Sequence, residues 1–323
     1  MKGYGTAGAG AVYYPKGFEE GEYIEAPVMK AVPLSRMEWS FMDYVAAFAV
    51  LVFPWVMFTG VYYVISFETH LKQPSLCWFL IGLAVFGVVA AIVGAFIEFN
   101  NKAGRQAIWA TSMALSLSFA LVIGMTVSES NYNSFMLPYY TWSSLNSYQN
   151  VDPGKLGGEA FMDAGKVTFS SNTALDLTKS AGFLNLDMFC VAPIVSSSGP
   201  SAREAYDFWA VGTNCCSGNS ADFHCGAFNV KGASGGLRVL ADADRDFYRL
   251  AVNQAAATFN LQVKHPVFFH WVTEANFAVD EHQEQGLRNF AIGVVVYFVF
   301  QVLVVLITFL LVGILFRPKF IES

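Results

Sequence analysis

The sequence predicts a membrane protein: four transmembrane α-helices with a disulfide-braced α+β extracytoplasmic domain between helices 3 and 4. Three observations predict it. Charged residues are missing in long blocks, charge is scarce overall, and four of the five cysteines gather in one long polar-to-mixed segment. Of 323 residues, 54% are hydrophobic and only 14% charged, with 30 Phe. A soluble domain carries about 25% charged residues. A globule of this composition would leave apolar surface in water. The net charge of −6 comes without a basic stripe, so no nucleic-acid partner is expected.

Tyr44 to Phe67, Gln73 to Ile97, Gln106 to Ser128 and Asn289 to Phe316 contain no Asp, Glu, Lys or Arg. Each block exceeds the ~20 residues that cross a bilayer as a helix. Only helices satisfy their own backbone hydrogen bonds there. The chain therefore divides into a cytoplasmic tail (1–40), transmembrane helices 1–3 (41–127), an extracytoplasmic domain (128–288), helix 4 (289–316) and a cytoplasmic tail (317–323). Lys30, Arg36, Lys102, Arg105, Arg317 and Lys319 flank the blocks on one side. The positive-inside rule puts that side in the cytoplasm, and the loop His70–Lys72 and the long segment on the other. The large domain is thus expected to be extracellular or lumenal. The tail 1–40 is rich in Gly, Tyr and Pro, with an acidic Glu19-Glu20-Gly21-Glu22. It has no helical or strand period and reads as an extended docking segment.

Within the blocks, Pro54 and Gly60 predict a kink in the first span. Asp43 stands at its start, where a helix N-terminus favours an anion. The second span carries Ala84, Gly87, Ala91 and Gly94; the third carries Ser112, Ser116, Ala120 and Gly124. Small residues at such spacing let helix backbones approach closely in lipid. A short connection makes these two spans an expected antiparallel pair meeting along the two stripes. The fourth span is rich in Val, Leu and Phe, with Gln301 inside it. No span has a charge at its centre, which argues against a proton-coupled transporter or voltage sensor.

In the outer segment, Tyr132 to Tyr148 alternates aromatic and polar residues, as suits a stretch near lipid headgroups. Val151-Asp152-Pro153-Gly154 and Gly157-Gly158 are turn chemistry. Strands are expected at Lys166–Phe169, Asp187–Val195, Asp207–Gly212, Leu237–Leu240 and Val267–Val272. A helix is expected from a cap at Asp244 to Phe259, with Phe247, Leu250, Ala251, Ala255 and Phe259 facing a core. Cys190, Cys215, Cys216 and Cys225 form an even set and read as two bridges. Adjacent cysteines meet disulfide geometry only with strain. That leaves Cys190 paired with one of Cys215 and Cys216, and Cys225 with the other. A zinc site that adds His224 is the competing arrangement. Cys77 reads as a lone membrane thiol.

Other patterns are weaker. Gly232-Ala233-Ser234-Gly235-Gly236 fits a nucleophile elbow, but that motif needs a helix after it, and Leu237 to Leu240 reads as a strand. His265 and His270, five apart, do not chelate on a strand or a helix. Glu274, Asp280, Glu281 and Glu284 read as a solvated acidic stem above the last span.

Four spans, a small outer loop, a short inner loop and a large cysteine-bearing loop before the last span resemble tetraspanins. Cys215-Cys216-Ser217-Gly218 is similar to their Cys-Cys-Gly motif, with Gly displaced by one residue. The resemblance implies an organiser that binds partner membrane proteins and lipids laterally, with structural cysteines and no catalysis. The expected function is a non-enzymatic scaffold or accessory subunit. It would assemble with itself or other membrane proteins through its outer domain and small-residue helix faces. Membrane lipids are expected partners. No cofactor beyond bound lipid, no metal and no catalytic residue is expected. The alternative is a subunit of an oligomeric channel, transporter or pigment–protein complex.

Overall fold

The computed structural model describes residues 39–101, 103–196, 205–218 and 221–316. Residues 1–38 of the expected docking tail 1–40, the tail 317–323, and Lys30, Arg36, Lys102, Arg317 and Lys319 lie outside the described residues. Among the described residues, four helical runs are long and apolar enough to cross a membrane. The first is α1 (Phe41–Ser66), which opens with a capping box between Ser40 and Asp43. Buried Asp43 also accepts from Arg105 Nη1 at 3.2 Å and Trp109 Nε1 at 3.2 Å. One carboxylate thus caps α1 and ties it to the start of α4 (Arg105–Asn131). Between them come the short α2 (Glu68–Lys72) and α3 (Pro74–Asn100).

The third run does not end at residue 128. A π-type turn (Tyr132–Met136) carries α4 into α5 (Leu137–Ser144), giving 40 continuous residues. Of the stretch Tyr132 to Tyr148 expected near the headgroups, Tyr132 to Ser144 is helix and the rest enters the first strand. The Leu137 N–H reaches back to Tyr132 O just before Pro138, which has no N–H, and a π turn fits one extra residue without breaking the helix. Tyr132, Met136 and Trp142 are its buried side chains. They face the fourth run, α7 (Ala275–Leu315), 41 residues long. At Gly286 a Cβ would lie 2.5 Å from Met136 Sδ, so the two helices meet there without side-chain separation. The acidic residues Asp280, Glu281 and Glu284 are exposed on this part of α7.

The small-residue stripes do not meet each other. Ser116, Ala120 and Gly124 are buried against α1 and α7. A Cβ on Gly124 would lie 3.3 Å from Val61 and 3.5 Å from Phe58 of α1. Tyr297 of α7 stacks on Phe58 at 4.1 Å and donates to Ser116 O at 3.1 Å. Half-buried Ser112 shares a hydrogen bond with Thr308 at 3.0 Å, and fully buried Gln301 donates to Val50 O at 2.6 Å. Small residues on α4 are needed because rings from α1 and α7 fill the centre. Helix α3 instead packs through Cys77, Ile81, Val88 and Ala95. Ala84 and Ala91 border that face, while the Cβ positions of Gly87 and Gly94 meet nothing within 4 Å.

The domain between α5 and α7 is a mixed sheet of eight strands among the described residues. They are β1 (Asn146–Val151), β2 (Ala164–Phe169), β3 (Thr173–Leu175), β4 (Ala181–Asn185), β5 (Asp187–Ser196), β6 (Phe208–Thr213), β7 (Gly235–Arg238) and β8 (Val267–Val272). The order is β1-β2-β7-β8-β6-β5-β3, with β4 also paired to β5. Neighbours β1/β2 and β6/β8 are parallel and the remaining pairs antiparallel. Side chains alternate between faces. Cys190, Ala192, Phe208, Ala210 and Phe269 enter one core with Val167 and Phe169. Val191, Trp209, Val211 and Phe268 enter another beneath α6 (Asp242–Phe259). Tyr248, Ala251, Val252 and Ala255 recur at helical spacing on the buried side of α6.

His270 on β8 links this fold to pH. Burial pushes its imidazole below the usual value, against a Val211 backbone hydrogen bond and the charge of Asp244. The folded domain therefore favours neutral His270, and the unfolded chain takes the proton first. This contribution is complete above the unfolded value and is lost as pH falls below about 6.5 toward the folded one. The domain's unfolding temperature is expected to fall across that window, and His270→Gln is expected to flatten the fall. Thermal scans of both proteins over a pH series check this.

Candidate functional site

The end of the sheet far from the helix bundle concentrates the cysteines. Its direction follows from α7. Strand β8 ends at Val272 and α7 begins three residues later. Ala275 lies at Gly235, while Trp142, packed with Val279, donates to Arg238 O at 2.8 Å. Helix α7 therefore runs beside β7 from Gly235 toward Arg238 on its way to the bundle. The opposite ends, Thr213 of β6, Val272 of β8 and the β4–β5 turn, point away from it.

Two disulfides brace this end: Cys190–Cys216, with Cα atoms 5.9 Å apart, and Cys215–Cys225, at 5.2 Å. Of the two pairings open from the sequence, the structure takes this one. Gly182, Cys190 and Gly212 stand opposite one another across β4, β5 and β6. A Cβ on Gly182 would lie 2.9 Å from Cys216 Sγ, and one on Gly212 would lie 2.8 Å from the sulfurs of Cys215 and Cys225. The two glycines leave the space the bridges fill. A glycine inside a strand often marks such a close approach, and this signal in the sequence went unused. The sulfurs of Cys190, Cys215 and Cys225 lie within 4.8 Å of one another. As closed disulfides they present no thiolate, the form a zinc site requires.

Next to the bridges, β4 and β5 turn in a single residue. Asn185 pairs with Asp187, and Leu186 between them has φ +61. Leu186 is 99% exposed and Leu184 beside it 66%. Asn214, itself at φ +57, holds the base of the turn. Its Oδ1 accepts from Met188 N at 2.9 Å, and its Nδ2 donates to Asp187 Oδ1 at 2.8 Å. The result is a rigid tip with two leucines in solvent. Sequence reasoning missed it, because a leucine in a turn carries no pattern.

The other sequence candidates lie elsewhere. Cys77 is free and buried in α3. Ser234 leads directly into β7, so the strand–turn–helix context of a nucleophile elbow is not met. His265 lies in the turn before β8 and His270 within the strand, and His265 offers its backbone N–H to Asp207 at 3.0 Å. The chain matches no protein-family model, and no curated protein or solved structure matches it. The likeness to tetraspanins extends to four apolar helices and a disulfide-bonded cysteine cluster.

Proposed function

We propose that this chain is a non-enzymatic integral membrane organiser or accessory subunit that grips a partner protein with the braced tip of its sheet domain. Helices α1, α3, α4 and α7 anchor it, and the sheet domain stands on the extracytoplasmic side. Disulfides form and persist in oxidising compartments, which supports that side. The basic residues that flank the apolar blocks support the cytoplasm for the other.

One observation carries the role of the tip. Leu186 adopts a left-handed backbone and exposes 99% of its surface. That conformation costs an L-residue about 1 kcal/mol, whereas glycine adopts it freely. The leucine gains nothing from its own chain in return. Strain kept at an exposed apolar residue supports a contact outside the chain. The fitting partner offers an apolar pocket for Leu184 and Leu186. The open positions at Gly87 and Gly94 on α3 support close packing of a second transmembrane helix there.

Leu186→Gly separates binding from folding. The variant is expected to unfold at the wild-type temperature or slightly above it, yet to lose the partner. The check is gentle isolation of both proteins from native membranes, followed by the mass and composition of the complexes. An unchanged complex in the variant overturns the role of the tip. A bare homomeric ring with a central hole overturns it in favour of the channel reading.

A further inference from the structure

A cleft of about 470 Å³ opens between α3 and α4 near their ends closest to the sheet domain. Its floor is apolar, with Ile65, Trp78, Ile81 and Met125. Its mouth is polar, with His70, Glu129, Ser130 and Asn133, and Glu129 brings a carboxylate to it. Glu129 lies one residue past the uncharged block of α4, the level where hydrocarbon gives way to headgroups. Asn133 Nδ2 donates to Glu129 Oε1 at 2.9 Å and orients the carboxylate. His70 Nδ1 lies 3.1 Å from Ile65 O and packs on Tyr132 at 4.5 Å. The Ile65 carbonyl can only accept, so Nδ1 is the donor in that bond. The nearby cation Lys72 is paired with Glu68.

We propose that this cleft binds a phospholipid with a primary ammonium headgroup, of the phosphatidylethanolamine class. Its ammonium would meet Glu129 and an acyl chain would lie along the apolar floor. An ammonium supplies both a positive charge to meet the Glu129 carboxylate and N–H donors that the carboxylate oxygens can accept. A choline headgroup carries the charge without the N–H groups. A glycerol headgroup on an anionic phosphate brings negative charge toward Glu129. The proposal rests on the membrane placement given above and is independent of the partner gripped by Leu186.

The test uses the full chain in mild detergent, offered phosphatidylethanolamine, phosphatidylcholine and phosphatidylglycerol in turn. Native mass spectrometry reads the lipid retained. Phosphatidylethanolamine is expected to dominate. Glu129→Gln is expected to lower its retention roughly two- to fivefold, the scale of one solvent-facing ion pair. Thr126→Phe places a ring in the cleft and breaks no hydrogen bond to another helix, since Thr126 Oγ1 bonds Val122 O and Ile123 O of its own helix. It is expected to abolish retention of all three lipids at an unchanged unfolding temperature. Equal retention of ethanolamine and choline lipids, a preference for phosphatidylglycerol, or wild-type retention in both variants would overturn the assignment. Carbonate extraction of native membranes tests the placement separately. A chain that washes off defeats the membrane reading and this site with it, whereas a retained chain lacking lipid preference defeats only the site.

Discussion

Replacing Cys190 and Cys216 together by alanine is expected to destabilise the sheet domain by about 3.5 kcal/mol, the chain-entropy value for a loop of this size. The bridge spans 26 residues of sequence, against 10 for Cys215–Cys225. The shorter loop yields about 2.7 kcal/mol on the same argument, so its loss should weigh less. Both partners must be changed, because a single free thiol beside the remaining bridge invites exchange. Removing Cys190 also empties volume between Gly182 and Gly212, which have no side chains to close it. Limited proteolysis and denaturant unfolding should show early loss of the sheet. Far-ultraviolet helix signal from the bundle should persist, since its contacts are elsewhere. A double variant with wild-type protease resistance would refute the bracing role.

Asp207→Ala is expected to cost about 3 kcal/mol or more, because it orphans buried backbone donors. The Asp207 carboxylate is buried and accepts three N–H groups: Gly158 at 3.1 Å, Lys264 at 2.9 Å and His265 at 3.0 Å. These come from the turn before β2 and the turn into β8, while Asp207 itself precedes β6. One side chain therefore joins three distant pieces of chain. Gly158 cannot move away, since even a Cβ there would lie 2.1 Å from His265 O. Asp207→Asn should cost less, because its amide oxygen still accepts from Lys264 and His265 while its NH₂ faces the Gly158 donor. Denaturant melts of the three proteins should rank wild type, Asn, then Ala. Equal stability of Ala and wild type would contradict the role assigned to the carboxylate.

Where a solvent imposes the pattern, the sequence shows it. The apolar blocks fall in the four helical runs long and apolar enough to cross a membrane, and β5, β6 and β8 are apolar because both their faces are packed. The polar strand β1, Asn146-Ser147-Tyr148-Gln149-Asn150-Val151, lies at the sheet edge with most residues exposed, so no alternation marks it. Strand β4 contains Gly182, whose place depends on the Cys216 sulfur more than 30 residues away. Helix partnering was equally hidden. Both stripes of small residues look alike in one dimension, and only the rings of Phe58 and Tyr297 decide that α4 turns its stripe inward. The cysteines of the tip were legible by number and spacing. Leu186 was not, since its meaning comes from a backbone angle.

The unbroken passage of α4 through its π turn into α5, alongside α7, has a mechanical consequence. Both helices run continuously between bundle and sheet, so two helical rods carry the head. About 14 residues of α7 rise before the last apolar block begins, which is roughly 20 Å of rigid shaft at 1.5 Å per residue. A partner of the kind proposed above would meet the head at a height set by this shaft, and force on the head would pass along both helices into the bundle.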